Sequence, residues 1–178
     1  PQPTTTTTAA GPTTSKPSTS SPSGTLRVAI GDFGVESMDP NYYESTWGWA
    51  MYDPLFQFDP QGNVTGVLAE SYSVSAEGLP WTFKLRKGIK FQNGDSFTSA
   101  DAAFSITRFS AADSTNPWSP YLRNNFDSVS TPDEYTFVYK SKKPEPPLIA
   151  PLSWCRIISQ AYIEKVGIEG FKKAPVGT

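Results

Sequence analysis

The residues from Leu68 to Phe109, LAESYSVSAEGLPWTFKLRKGIKFQNGDSFTSADAAFSITRF, constrain the fold more than any other part of the chain. Tyr72 and Val74 alternate with Ser71, Ser73 and Ser75, and Trp81, Phe83 and Leu85 alternate with Thr82, Lys84 and Arg86. A period of two is the spacing of strands buried on one face, so this part predicts a hairpin turned at Gly78 and Pro80. The period then changes. Thr98 stands three residues before Asp101, where its hydroxyl accepts an orphan helix amide and the carboxylate reaches back, and Ala102, Ala103, Ile106 and Phe109 fall on one helical face. Lys84, Arg86, Lys87 and Lys90 read as the wet face of the second strand and its turn.

In order and wording this stretch resembles the family 5 extracellular solute-binding proteins, the dipeptide-, oligopeptide- and nickel-binding receptors of bacterial ABC importers. The residues that carry the resemblance are LAESY at Leu68 to Tyr72, TFKLRKGIKF at Thr82 to Phe91, NGD at Asn93 to Asp95 and TSAD at Thr98 to Asp101. MDPNYY from Met38, YDPLFQFDPQGNV from Tyr52 and PVGT at Pro175 to Thr178 follow the family's order, so the similarity covers residues 25–178. It implies an α/β fold of the periplasmic-binding-protein type II class, here the N-terminal part of lobe I with its extra strand-rich subdomain. PVGT looks like the start of a longer family motif, so the chain is expected to be a piece of a larger two-lobed receptor.

Around that centre, Leu26 to Ile30 predicts a short strand followed by a turn at Gly31 to Gly34. Tyr43, Trp47, Ala50 and Met51 fall at i, i+4, i+7 and i+8, one buried face of a helix that Asp53-Pro54 closes. Leu55 to Phe58 reads as a strand and Asp59 to Asn63 as its turn. Asn116 to Asn125 reads as proline-broken loop. Phe126 to Ser130 and Tyr135 to Lys140 read as a second hairpin, turned at Thr131 to Glu134, with Tyr135, Phe137 and Tyr139 on one face. Lys142 to Pro147 reads as a stiff connector, Leu148 to Leu152 as a helical turn, Arg156 to Ser159 as a short strand and Gln160 to Val166 as a helix.

Residues 1–24 contain no aromatic residue and only Lys16 as a charge, so nothing there offsets the entropy of folding. Their proline, threonine and serine predict a disordered, extended tether before the folded part at 25–178. Such a tether is what a lipoprotein carries between its lipid anchor and its body, so the protein is expected outside the cytoplasm at the membrane; the alternative is a disordered tail with no anchoring role.

A net charge of −2, with both signs interspersed, gives no basic stripe for nucleic acid. No run reaches the ~18 apolar residues of a membrane span. The single cysteine, Cys155, rules out an internal disulfide and reads as a small core residue, and without histidine the commonest acid/base group and metal ligand is missing. Glu70, Asp95 and Asp101 are the carboxylates formally open to acid/base work, but each has a structural role in reach: strand edge, turn former and helix cap. No enzyme activity, cofactor or metal is expected.

The resemblance puts the solute in the crevice between two lobes and the best-placed residues in the loop after the first strand: Asn41, Tyr42, Tyr43 and Thr46. Tyr43 is divided between cleft wall and core, and Tyr42 points elsewhere. Trp118 sits in a loop where no periodicity explains an indole, and serves as wall or as packing. Arg156 follows LSWC, which in the family returns to the cleft, so it either pairs with a ligand carboxylate there or stands as a solvated surface arginine. The expected partners are a peptide-like solute and an ABC permease, with the receptor monomeric. The rival reading is a carbohydrate-binding module behind a Pro/Thr linker, which explains the tether and the aromatics but not TFKLRKGIKF followed by NGD and TSAD.

Overall fold

Alternating polarity becomes antiparallel pairing throughout the computed structural model, which describes residues 24, 25, 27, 37–42, 48–144 and 148–178. The elements are α1 (Gly48–Met51), β1 (Phe56–Phe58), β2 (Val64–Gly66), β3 (Ala69–Val74), β4 (Trp81–Leu85), α2 (Ser99–Phe109), α3 (Ser119–Asn125), β5 (Phe126–Asp133), β6 (Thr136–Ser141), α4 (Ile149–Leu152) and α5 (Gln160–Lys173). Strands β1 and β2 form a ribbon, and a four-stranded antiparallel sheet runs in the order β3-β4-β6-β5. Residues 32–178 make up one unit and 1–31 another. The predicted first strand, its turn and all of the tether but Gly24 lie outside the described residues, apart from Arg27.

The register explains which aromatics are buried. Tyr72, Phe83 and Phe137 are cross-strand neighbours on β3, β4 and β6, and Val74, Trp81 and Tyr139 form the next row. Phe83, Phe137 and Tyr139 are fully buried with Leu85, Phe97, Ile106 and Leu122. Tyr72 and Val74 stay exposed, contrary to the expected one-sided hairpin. They lie on an edge strand, with a neighbour on one side only, and Phe56 meets Tyr72 edge-on at 5.4 Å. Lys84 is exposed, as its place in the alternation requires.

Four other expectations are corrected. Ser119 to Asn125 is helical, because Pro120 stands at the start of α3, where a fixed φ favours a helix and the missing N–H costs nothing. The second hairpin turns at Glu134-Tyr135, since Asp133 still pairs with Thr136, so Pro132 lies within the edge strand β5 beside an irregular register. Arg156 makes an isolated bridge to Pro54 in place of a strand. Ala50 of α1 is exposed and so is not part of a buried helical face, while Tyr43 and Trp47 lie outside the described residues.

Helix α2 is capped as its sequence predicts, and its cap does more than its sequence shows. The Thr98 N–H donates to Asp101 Oδ2 at 2.9 Å, and Oδ1 of the same buried carboxylate accepts the Gln160 N–H of α5 at 2.9 Å. Ser105 Oγ accepts the Ile158 N–H at 3.0 Å and donates to the Asp101 carbonyl at 2.7 Å. One carboxylate thus serves two helix N-termini. Helix α5 runs on to Lys173 across a kink at Gly167, whose φ of 72° is open to glycine.

Burial raises the Asp101 pKa above the ordinary carboxylate value, against its hydrogen bonds to Gln160 and Thr98, which lower it. A raised folded pKa means that the folded state holds the proton more tightly. The resulting stabilisation is complete below the unfolded value and is lost as pH rises through the folded value. Asp101→Asn removes that titration and turns one acceptor into a donor facing an N–H, at a cost of about 1 to 3 kcal/mol. The stability of wild type minus Asp101→Asn, measured by urea unfolding from pH 3 to 7, is expected to be largest at the acid end and to shrink as pH rises. A difference that grows with pH would show that hydrogen bonding to the ionised form outweighs burial.

Candidate functional site

Helix α1 and the chain leaving α4 carry two exposed indoles that meet. Helix α1 turns Trp49 outward, 48 % exposed, and the chain leaving α4 turns Trp154 outward, 38 % exposed. Their rings meet edge-on with centroids 5.7 Å apart. The Arg156 guanidinium lies 3.9 Å from the Trp49 ring centroid, although Arg156 is only 2 % exposed. A desolvated cation against an indole face gains from the ring quadrupole and holds the ring in place.

Local backbone geometry brings these residues together. Ile149, Pro151 and Leu152 bury α4, and Ser153 Oγ donates to the Ala150 carbonyl at 2.7 Å, ending the turn. The next residues run antiparallel to 53–54, with the Pro54 to Arg156 bridge and the Ile157 N–H on the Asp53 carbonyl at 3.0 Å. Asp53 feels both neighbours. Burial raises its pKa, and the Arg156 charge opposes that rise.

A second group lies around Asp39. Asp39 is fully buried and accepts both terminal nitrogens of Arg108 on α2, one at 2.7 Å. Its Oδ1 also accepts the Asn41 N–H at 3.0 Å. The Tyr52 hydroxyl donates to the Met38 carbonyl at 2.7 Å, and burial, with Asp39 nearby, pushes the pKa of that hydroxyl far up. The Asn41 carbonyl accepts from Ser114 Oγ at 3.0 Å and from the Thr115 N–H at 3.2 Å, which ties it to the loop that carries Trp118.

Of the candidate residues, Asn41 belongs to the group around Asp39 and Arg156 to the group around Trp49. Asn41 is buried, and both polar atoms of its side-chain amide lack a hydrogen-bond partner among the described residues. Tyr42 is half-buried under the Lys172 ammonium, 4.9 Å from its ring centroid. Trp118 packs against the core and meets Tyr121 edge-on at 6.4 Å. Arg156 belongs with Trp49 and Trp154, and Tyr43 and Thr46 lie outside the described residues. Sequence reasoning missed Trp49 and Trp154. The signal for Trp49 was present: a helix that turns Met51 toward the core carries Trp49 some 200° away from it.

The carboxylates considered for acid/base work have structural partners or stand in solvent. Asp101 caps two helices, Asp95 accepts from Asn93 Nδ2 at 2.7 Å, and Glu70 is exposed on β3. Among the described residues no group of three acidic, histidine or cysteine side chains is placed to hold a metal ion. Nor is any described helix long and apolar enough to cross a membrane.

Comparison with known proteins agrees on one relationship. Residues 63–178 match the family model "Bacterial extracellular solute-binding proteins, family 5 Middle". The glutathione-binding protein GsiB of Escherichia coli O1:K1 is 37% identical over 159 residues, which covers 85% of this chain and 30% of GsiB. Among solved structures, MoaA of A. tumefaciens R10 in complex with mannopinic acid superposes with a TM-score of 0.70 at 27% identity, over 79% of this chain and 30% of its own. Haemophilus influenzae OppA in complex with the peptide RPPGFSPFR gives a TM-score of 0.70 at 25% identity, over 80% of this chain and 32% of its own. The chain thus spans about 30% of the length of the curated relatives it matches. These relatives are binding proteins of solutes and peptides, and the carbohydrate-module reading finds no support among them.

Proposed function

The chain belongs to the family 5 bacterial extracellular solute-binding proteins, and from that membership we propose that it is the N-terminal part of lobe I of a receptor that delivers a peptide or similar small solute to an ABC importer. The observation that carries this reading is the group of Trp49, Trp154 and Arg156. Two indoles remain exposed with their rings edge to edge, one of them against a buried cation, and an exposed aromatic surface of that kind suits a binding face. In this reading the solute is enclosed between this face and a second lobe. Closure then couples affinity to the shape that the importer recognises.

The receptor does no chemistry on its solute. Asn41, Tyr42, Tyr43, Thr46 and Trp118 are the further candidates for solute contact, and residues 1–24 tether the body to a lipid anchor outside the cytoplasm. The GsiB relationship makes glutathione the first solute to try.

The test is calorimetry on the receptor extended to the length of its relatives, with glutathione and a panel of short peptides as probes. Trp49→Ala is expected to weaken the best-bound probe by about 30-fold, the equivalent of a ~2 kcal/mol aromatic hot spot. Unchanged affinity would remove the tryptophan pair from the site, and no binding of any probe would overturn the peptide reading.

A further inference from the structure

The turn that joins β4 to α2 carries the NGD motif and has so far been given no role. It is rigid. Phe91 and Phe97 anchor it in the core, ring against ring at 6.2 Å, and the Phe91 N–H donates to the Asp95 carbonyl at 2.9 Å. Asn93 Nδ2 donates to Asp95 Oδ2, the Asp95 N–H donates to Asn93 Oδ1, and Gly94 takes a φ of 92°.

This turn presents Gln92, and Gln92 holds two distant segments at once. Its N–H donates to the Gly177 carbonyl at 2.8 Å, and its Oε1 accepts the Gly177 N–H at 3.1 Å. Its Nε2 donates at 3.1 Å to the carbonyl of Met51, the last residue of α1. Gly177 fits the same place closely: a Cβ there would stand 1.9 Å from the Met51 oxygen and 2.7 Å from Tyr52 Cδ1. Thr178 Oγ1 completes the contact by accepting the Asp53 N–H at 3.3 Å.

We propose that Gln92 is a positioning residue: it clamps the C-terminal end of α1 to Pro175–Thr178 and thereby sets the orientation of Trp49 against Trp154. The Met51 carbonyl closes the C-terminal end of α1 two residues after Trp49, so the bond that Gln92 makes to it governs how that indole is presented. The functional meaning of the clamp rests on the solute-wall reading above, but the clamp itself does not.

The test therefore uses no solute. The reporter is the part of the near-ultraviolet tryptophan circular dichroism that Trp154→Phe removes, read on the full chain well below its unfolding midpoint. Gln92→Met keeps the length of the side chain and lacks both bonds, and is expected to lose most of that signal. Gln92→Glu keeps an acceptor for Gly177 but turns a second oxygen toward the Met51 carbonyl, so the signal is expected to fall at pH 7. Protonation restores a donor, so the signal should return as pH falls through the ordinary glutamate range, about 4.3. Each variant is compared with wild type at the same pH, so that titration of Asp53 cancels. An undiminished Trp154-dependent signal in Gln92→Met, or no return in Gln92→Glu on acidification, overturns the proposal.

Discussion

Arg108→Met is expected to destabilise the chain by about 3 to 5 kcal/mol, because it leaves the Asp39 carboxylate buried without its counter-charge. Asp39 has no solvent exposure and accepts both terminal nitrogens of Arg108, so water cannot take over the lost partner. The pair joins residues 69 apart in sequence, one on α2 and one in the segment that leads to Asn41. Asp39→Asn combined with Arg108→Met should recover a good part of the loss, since no ion then remains stranded. Urea unfolding of the two single variants and the double variant checks this. Additive losses would mean that the two charges do not stabilise each other.

Phe83→Ala is expected to cost about 3 to 5 kcal/mol, the sum of lost transfer free energy and the cavity left behind. Phe83 is fully buried in the centre of its sheet, with the rings of Phe137 at 5.6 Å, Phe56 at 5.9 Å and Trp81 at 6.3 Å. A hole so enclosed cannot collapse without breaking the register of β4 with β3 and β6. Lys84→Ala, one residue along, should stay within about 0.5 kcal/mol, since it removes an exposed side chain with one hydrogen bond to Thr136. Equal and small effects from the two variants would contradict the one-sided burial of β4.

Much of the fold was legible because local pattern decides local structure. Trp81, Phe83 and Leu85 alternate with polar neighbours, and β4 buries them as that period requires. Thr98 and Asp101 stand at capping distance, and α2 starts there. The TFKLRKGIKF, NGD and TSAD run was enough to identify the family, because a shared order of strand, turn and cap is too specific to arise from composition. Even the misread loop at 116–125 carried its signal, since a proline at a helix start favours the helix that it would break further in.

The candidate site was less legible, because it is assembled from segments with no local relationship. Arg156 was expected either to meet a ligand carboxylate or to stand in solvent, and the structure buries it against Trp49, more than 100 residues earlier in the chain. Asn41 and Trp118 were foreseen separately, and it is the hydrogen bonds of Ser114 and Thr115 to the Asn41 carbonyl that join them.

From its sequence alone this protein has the alternation that buries β4 and the cap that starts α2, which follow from short-range periodicity and capping stereochemistry, and the ordered motifs by which it resembles its family. Only the tertiary structure decides that β3 is an edge and leaves Tyr72 exposed, that Asp101 serves a second helix, and that Trp49 meets both Trp154 and the buried Arg156. The physical reason is that burial and pairing depend on what the rest of the chain brings to a residue, and residues many turns apart carry no pattern that announces their meeting.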